Sequence, residues 1–315
     1  MLRGVCGLHK CAGHTRVLTN STQLSIYGLS VANTREDKEM LEGLEAAAAR
    51  ILSRHVEAAE PWQPQDLVPW NEGRNFQFLG GQDWTPDQST LGELGTLALT
   101  VGVLISDNVP SYHRELAKLI RSGSLWTWIN RWTAEEARHA IVLRNYLMVT
   151  RAVDPVELER LRMEHMTAGV RRPELSIPEI FTQCAFESTS AMIRHRNTAL
   201  LVENDEVAAI CDRLAEDGES HRAVWGDFVT AALDVSPDRT VRAISARVAD
   251  YTEPSIMLRG TDSRVSLAAA GIYDPLDEVE QVFTPLLNKW EIFTRTDLGP
   301  AGELARDELA DFIKN

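Results

Sequence analysis

The 315-residue chain carries only four cysteines, Cys6, Cys11, Cys184 and Cys211, spread far apart. That spread excludes a disulfide framework and makes a reducing, cytoplasmic setting the expectation. Positive charge is scarce too, with 32 Lys and Arg against 46 Asp and Glu, a formal net charge of −14. Nucleic acid needs a basic surface and is not expected as a partner. The longest apolar run, "LGTLALTVGVLI" at 94–105, falls short of the roughly 18–20 residues that cross a bilayer, so no membrane span is expected. The N-terminal stretch has no continuous apolar core, and no cleavable signal peptide is expected. Glycine-rich nucleotide loops and a serine nucleophile elbow are missing. So is sustained period-two alternation, the mark of half-buried strands.

Helical periodicity is what the chain has instead. Hydrophobic content of 44% with 25% charged residues suits a soluble globular protein with a substantial core. Residues 1–35 read as an irregular, disordered extension and 36–315 as a single domain. A first helix is predicted from Glu36 to Ala59, stopped by the prolines of "PWQPQDLVPW". The apolar helix is predicted to start at "TPDQ", with Thr85 as N-cap and Pro86 at its first position. Further helices are expected over 110–121, 124–150, 154–169, 176–203, 205–233, 237–250, 262–271, 277–296 and 300–313. Long consecutive helices in the middle of the chain predict an all-α, antiparallel four-helix bundle core with peripheral helices.

The residues that carry chemistry lie on two of those helices. "WTAEEARHAIVL" holds Glu136 and His139 three apart, so both project from one helix face, an arrangement that suits a metal ion. "LAEDGESHRAVW" holds His221, but Gly218 stands three residues before it. Shifting the chain by the 82 residues between His139 and His221 also superposes Arg131 on Arg213, Glu135 on Asp217 and Val142 on Val224. This echo points to a duplicated metal-ligand helix whose second copy has lost its carboxylate. Gly218 leaves room at that place, which suggests space kept for a ligand.

Other groups are weaker candidates. Cys6, His9, Cys11 and His14 do not follow a common zinc spacing. His113 and His165 read as surface or packing residues. Basic clusters at Arg171-Arg172, at Arg194-His195-Arg196 and at Lys118 with Arg121 read as solvated charge, or as a patch for an acidic partner.

Together with "NFQFLGG", "DNVPSYHRELA", "RWTAEEARHAIVLRNYL", "RNTA", "GIYD" and a late Trp290, these segments make the chain resemble the soluble acyl-acyl-carrier-protein desaturases, above all the actinobacterial ones. The resemblance covers about residues 40–313. It implies a ferritin-like helical domain, usually a homodimer, holding two irons. With dioxygen and electrons from ferredoxin, such proteins remove two hydrogens from an acyl chain on acyl carrier protein. Glu136 matches a bridging ligand, and His139 and His221 match terminal ones. Ser106, Ser188 and Gly218 fall on three further ligand positions, and a family Thr falls on Ala191. Half of the six ligands are therefore substituted. Glu187, one residue early, lies about 100° round the helix from position 188 unless a π-bulge returns it.

The resemblance leaves the metal open between two irons, a single iron on Glu136, His139 and His221 with Asp217 as a possible fourth ligand, and none. Glu135 and Asp217 are expected to orient the ligands from behind. Oxygen-dependent desaturation or oxidation of a long fatty-acyl or polyketide-like chain follows if a metal is held. A metal-independent cyclase or isomerase follows if none is, with Glu136, His139, Glu187 and His221 as acid–base groups. A non-catalytic acyl-binding subunit is the third reading.

Overall fold

The computed structural model describes residues 34–170, 174–258 and 260–314. The N-terminal Cys/His cluster and Arg171-Arg172 lie outside the described residues, as does nearly all of the predicted extension.

Helix α1, Arg35–Ala58, begins at Thr34, whose side chain and that of Asp37 cap each other's backbone N–H. It buries Met40, Leu44, Ala48, Ile51 and His55, a stripe at spacings of three and four. Prolines then hold 59–92 in short 3₁₀ turns. The predicted Thr85 start fails. Pro86–Gln88 makes only one such turn, because the Ser89 hydroxyl bonds to Leu91 O and Ala152 O and ties the chain down. Helix α2 starts later and runs Glu93–Asp107.

Five helices follow: α3 (Val109–Leu119), α4 (Gly123–Val149), α5 (Pro155–Ala168), α6 (Ile177–Leu201) and α7 (Asp205–Val235). Then come α8 (Pro237–Asp250) and α9 (Ser263–Ala269). The predicted 277–296 helix is broken. Pro285 has no N–H to give Gln281, the turn before it widens so that Thr284 N–H reaches Val279 O, and only Thr284–Lys289 (α10) is α-helical. Glu291 then takes a left-handed conformation, and α11 (Pro300–Lys314) closes the chain. Among the described residues, strand pairing is confined to Met257–Leu258 against Thr261–Asp262.

The bundle is formed by α2, α4, α6 and α7, with α1 against α4 and α7. By length and composition the 93–119 stretch could cross a membrane, yet the helix is interrupted at Asn108 and α2 packs on α4. Helices α4 and α7 run antiparallel. The C-terminal half of α4 (Val142, Leu143, Tyr146, Leu147) meets the N-terminal half of α7 (Val207, Ile210, Cys211, Leu214). At the other end Trp128, Ile129 and Trp132 meet Trp225 and Phe228. Between these apolar zones, on the same stripes, lie Glu135, Glu136 and His139 facing Asp217, Gly218 and His221. The middle of the bundle is therefore a polar layer.

Candidate functional site

Each imidazole in that layer has an inner and an outer nitrogen. His221 donates from Nδ1 to Glu136 Oε1 (2.9 Å) and from Nε2 to Glu135 Oε2 (3.0 Å). His139 Nδ1 lies 3.3 Å from Glu136 Oε2, and its Nε2 lies 3.2 Å from Asp217 Oδ2. Glu136 thus stands between the two rings, one oxygen for each, while Glu135 and Asp217 sit behind them. Asp217, offered above as a fourth ligand, lies on the outer nitrogen of His139.

Further residues close the layer. His55, from the last turn of α1, bonds to Glu135 (3.1 Å), and Ser220 Oγ bonds to His55 Nδ1 (3.0 Å). Trp62 donates to Asp217 Oδ2 (3.0 Å), Arg213 reaches Asp217 Oδ1 (2.5 Å) and Arg131 reaches Glu135 (2.7 Å). Sequence reasoning missed His55 and Trp62. His55 was legible as the next position on the apolar stripe of α1. Trp62, in a proline-rich turn, gave no such signal.

The electrostatics follow from this pairing. Burial opposes a charged His221, but hydrogen bonds to Glu135 and Glu136 win and raise it to about 9. His139 is also raised, burial being outweighed by the charge of Glu136 and the bond to Asp217. Burial pushes the carboxyls of Glu135, Glu136 and Asp217 up, yet the imidazole partners hold all three below the usual range. The layer is a set of buried ion pairs.

A cavity of about 60 Å³ adjoins Glu136 and is lined by Ser106 and Ser188 with Trp132, Glu187, Arg194 and Glu253. Ser106 and Ser188, where the family resemblance implies metal ligands, thus border it together with Ala191. Helix α6 is α-helical throughout, with no π-bulge, and Glu187 still reaches the cavity wall, where Gln183 Nε2 donates to it (2.9 Å). At Gly218 the surroundings differ. A Cβ on Gly218 would stand 3.1 Å from Met192 Cβ and 3.3 Å from Met192 Cα. The room at Gly218 is thus taken by helix α6 and not by space for a ligand.

Two irons do not fit this donor set. A pair of cations needs several anionic oxygens to offset their repulsion, and Glu136 is the one carboxylate between the inner nitrogens. Nor is a common ion position formed among the described residues, since Glu136 lies between the imidazoles rather than beside them.

Among the described basic clusters, Arg194 and His195 are withdrawn from solvent, whereas Arg196, Lys118 and Arg121 are exposed. Arg194 and His195 are buried, with Arg194 paired to Glu253 (2.5 Å) and Arg196 to Glu219 (3.1 Å). Burial and the Arg194 charge push His195 down to about 3, so it is neutral. Lys118 pairs with Glu115 (2.5 Å), and Arg121 bonds to carbonyls at the end of α3. His113 bonds to Thr133 (2.9 Å), and His165 bonds to Asn108 (3.2 Å). Trp290 donates to Gly226 O (3.0 Å).

Beyond Arg194 a second polar group runs through Ser190, which hydrogen-bonds both Tyr251 and Tyr273 (2.8 Å each), to Glu278 (3.2 Å from the Tyr273 hydroxyl). Burial raises Glu278 from 4.5 to about 7. The folded chain therefore holds this proton after the unfolded chain has released it, and stability declines as pH climbs from about 4.5 to 7. Thermal melts across that window should show the Glu278→Gln variant losing less stability than the parent. Parallel curves would contradict this.

Facing helices that aim a Glu-x-x-His pair and a second histidine into a bundle, with a carboxylate behind each imidazole, define a ferritin-like all-α protein. The sequence profile of the fatty acid desaturase family matches residues 36–315. The chain belongs to that family, in its acyl-acyl-carrier-protein desaturase branch. It is 36% identical over 289 residues to DesA1 of Mycobacterium tuberculosis, provisionally named an acyl-acyl-carrier-protein desaturase, covering 89% of this chain and 86% of that one. It is 29% identical to the chloroplastic acyl-acyl-carrier-protein desaturase 6 of rice, over 82% of this chain and 67% of the relative. The X-ray structure of M. tuberculosis DesA2 superposes with a TM-score of 0.70 at 31% identity, covering 85% of this chain and 99% of that one.

Proposed function

We propose that the chain takes an acyl group carried as a thioester on acyl carrier protein and acts on it without redox iron. The observation that carries this reading is the donor set: Glu136 alone between two imidazoles, with Ser106, Ser188 and Gly218 at ligand positions. The relatives' names supply the carrier and the acyl class. The inner cavity shares Ile105, Tyr112, Glu187 and Pro254 with an outer cleft of about 560 Å³, which gives a thioester-borne chain an approach to Glu136.

Glu136 is ionised at the cavity wall, and His139 and His221 hold its orientation from behind. A carboxylate held ionised at the cavity wall stabilises positive charge that develops on the chain. Glu187, bonded to Gln183 at the mouth, is the group placed to take or return a proton. Such chemistry suits the cyclisation or isomerisation of a long or polyketide-like chain and needs no ferredoxin. Were the acyl group held but not converted, the chain would be an acyl-binding subunit.

The test has two arms. After anaerobic reconstitution with ferrous iron, elemental analysis should find far less than one iron per chain. An acyl-acyl-carrier-protein thioester should then bind, and be rearranged, with dioxygen excluded. Near-stoichiometric iron with dioxygen-dependent desaturation would overturn the proposal.

A further inference from the structure

A second cleft, of about 420 Å³, borders the polar layer at Glu135, Asp217 and His221 and shares no lining residue with the cavity at Glu136. Its wall also holds Ser220 from α7, His55 from α1 and Arg131 from α4. Ser220 Oγ lies 3.0 Å from His55 Nδ1, and His55 Nε2 lies 3.1 Å from Glu135 Oε2. A hydroxyl, an imidazole and a carboxylate bonded in that order are the three parts of an activated nucleophile.

The hydrogen bonds run in the direction this requires. Glu135 is held ionised and can only accept, so a neutral His55 gives it the Nε2–H and keeps Nδ1 bare. Nδ1 then accepts the Ser220 hydroxyl hydrogen, the bond a general base needs. The ring is fixed. His55 is 6% exposed, both Glu135 oxygens stand within 3.2 Å of its Nε2, and Trp128 packs edge-on against it. Ser220 is half-buried and borders the cleft, so a molecule there can reach it.

A carbonyl attacked by a serine also needs a donor for the negative charge on its oxygen. Arg131 supplies one. Its Nε meets Glu135 (2.7 Å), its side chain stays 35% exposed, and its guanidinium carries further N–H groups. At about 420 Å³ the cleft takes a small ester rather than a long acyl chain with its carrier arm.

We propose that Ser220, His55 and Glu135 form a hydrolytic site for small carboxylic esters, separate from the acyl cavity and independent of the acyl reading above. Ser220 Oγ bonds to the carbonyl carbon as its proton passes to His55 Nδ1, and Arg131 steadies the charge on the carbonyl oxygen. The bond to the leaving alcohol then breaks, and His55 gives that proton to the alcohol oxygen. Water attacks the Ser220 ester in the same way, releasing the carboxylic acid and restoring the hydroxyl. Glu135 is a positioning residue that acts through His55.

Two measurements on the full chain test this: hydrolysis of p-nitrophenyl butyrate, and mass spectrometry after treatment with a fluorophosphonate, which phosphonylates activated serines. The parent should take one phosphonyl group per chain, on Ser220, and hydrolyse the ester with saturating kinetics. Ser220→Ala, which removes a single oxygen from α7, should abolish the label and lower kcat about a hundredfold or more. His55→Gln should do the same in protein shown by thermal melts to be folded. Glu135→Gln should lower kcat with KM unchanged, because the bond that sets the imidazole tautomer weakens. A role in packing alone would leave kcat of the folded protein as it was. No label, a label spread over other residues, or hydrolysis that persists in Ser220→Ala would overturn the assignment.

Discussion

His221→Ala is expected to lower the stability of the chain by about 3–5 kcal/mol, the cost of leaving a buried charge without its partner. The substitution strips a donor from two carboxylates at once, Glu135 and Glu136. Neither has an easy escape. Glu135 is 7% exposed and keeps His55 and Arg131, whereas Glu136 keeps the longer contact to His139. Water entering the vacated space would recover part of the loss. His221→Gln should cost less, since one amide N–H still serves one carboxylate. Urea melts should show the midpoint falling with an unchanged slope. A loss below about 1 kcal/mol, no more than one ordinary hydrogen bond, would mean that the layer is not held by these pairs.

Gly218 is the second position with a large expected effect. In an ordinary helix interior, Gly→Ala gains about 1 kcal/mol. Here the sign should reverse. The new Cβ meets Met192 Cβ at 3.1 Å, Cα at 3.3 Å and N at 3.4 Å, so helix α6 itself must move. Overpacking of this kind costs about 1–3 kcal/mol. Because the atoms in the way are backbone and Cβ, Met192→Ala should not rescue Gly218→Ala in a double-mutant cycle. Gly218→Glu, which restores the carboxylate that the family resemblance implies at this position, should cost more still, since it adds a carboxylate with no cation facing it. Restoring Ser106→Glu and Ser188→Glu beside it should fail to create a two-iron site while α6 stays so close. A stabilised Gly218→Ala would show that α6 yields and would remove the main obstacle to metal at this position.

These two residues also show how much could be read without coordinates. The periodicity of α1, α4, α6, α7 and α8 gave their extents nearly to the residue, because buried stripes dominate long amphipathic helices. Spacing alone could place Glu136 and His139 on one face and suggest His221 opposite. It could not show that Gly218 faces Met192, since a close approach of two helices depends on their relative position and leaves no local mark. The short C-terminal pieces were misread as one helix because Val279, Val282, Phe283, Leu286 and Leu287 keep a helical period across a widened turn. Trp132 lay within a quoted motif but received no role. Glu253 lay in a loop, where no periodicity exists to flag a buried carboxylate.

The polar layer has one more consequence. Apolar stripes on two antiparallel helices tolerate a slide of one turn, because leucine or valine fits almost as well against one neighbour as against the next. At 135–139 and 217–221 that tolerance ends. A displacement of one turn would set the Glu135 and Glu136 carboxylates against indole and phenyl rings and leave both imidazolium groups facing aliphatic side chains. Three carboxylates and two imidazoles therefore act as a key that admits a single alignment of α4 on α7, a role that survives whatever chemistry the layer once performed.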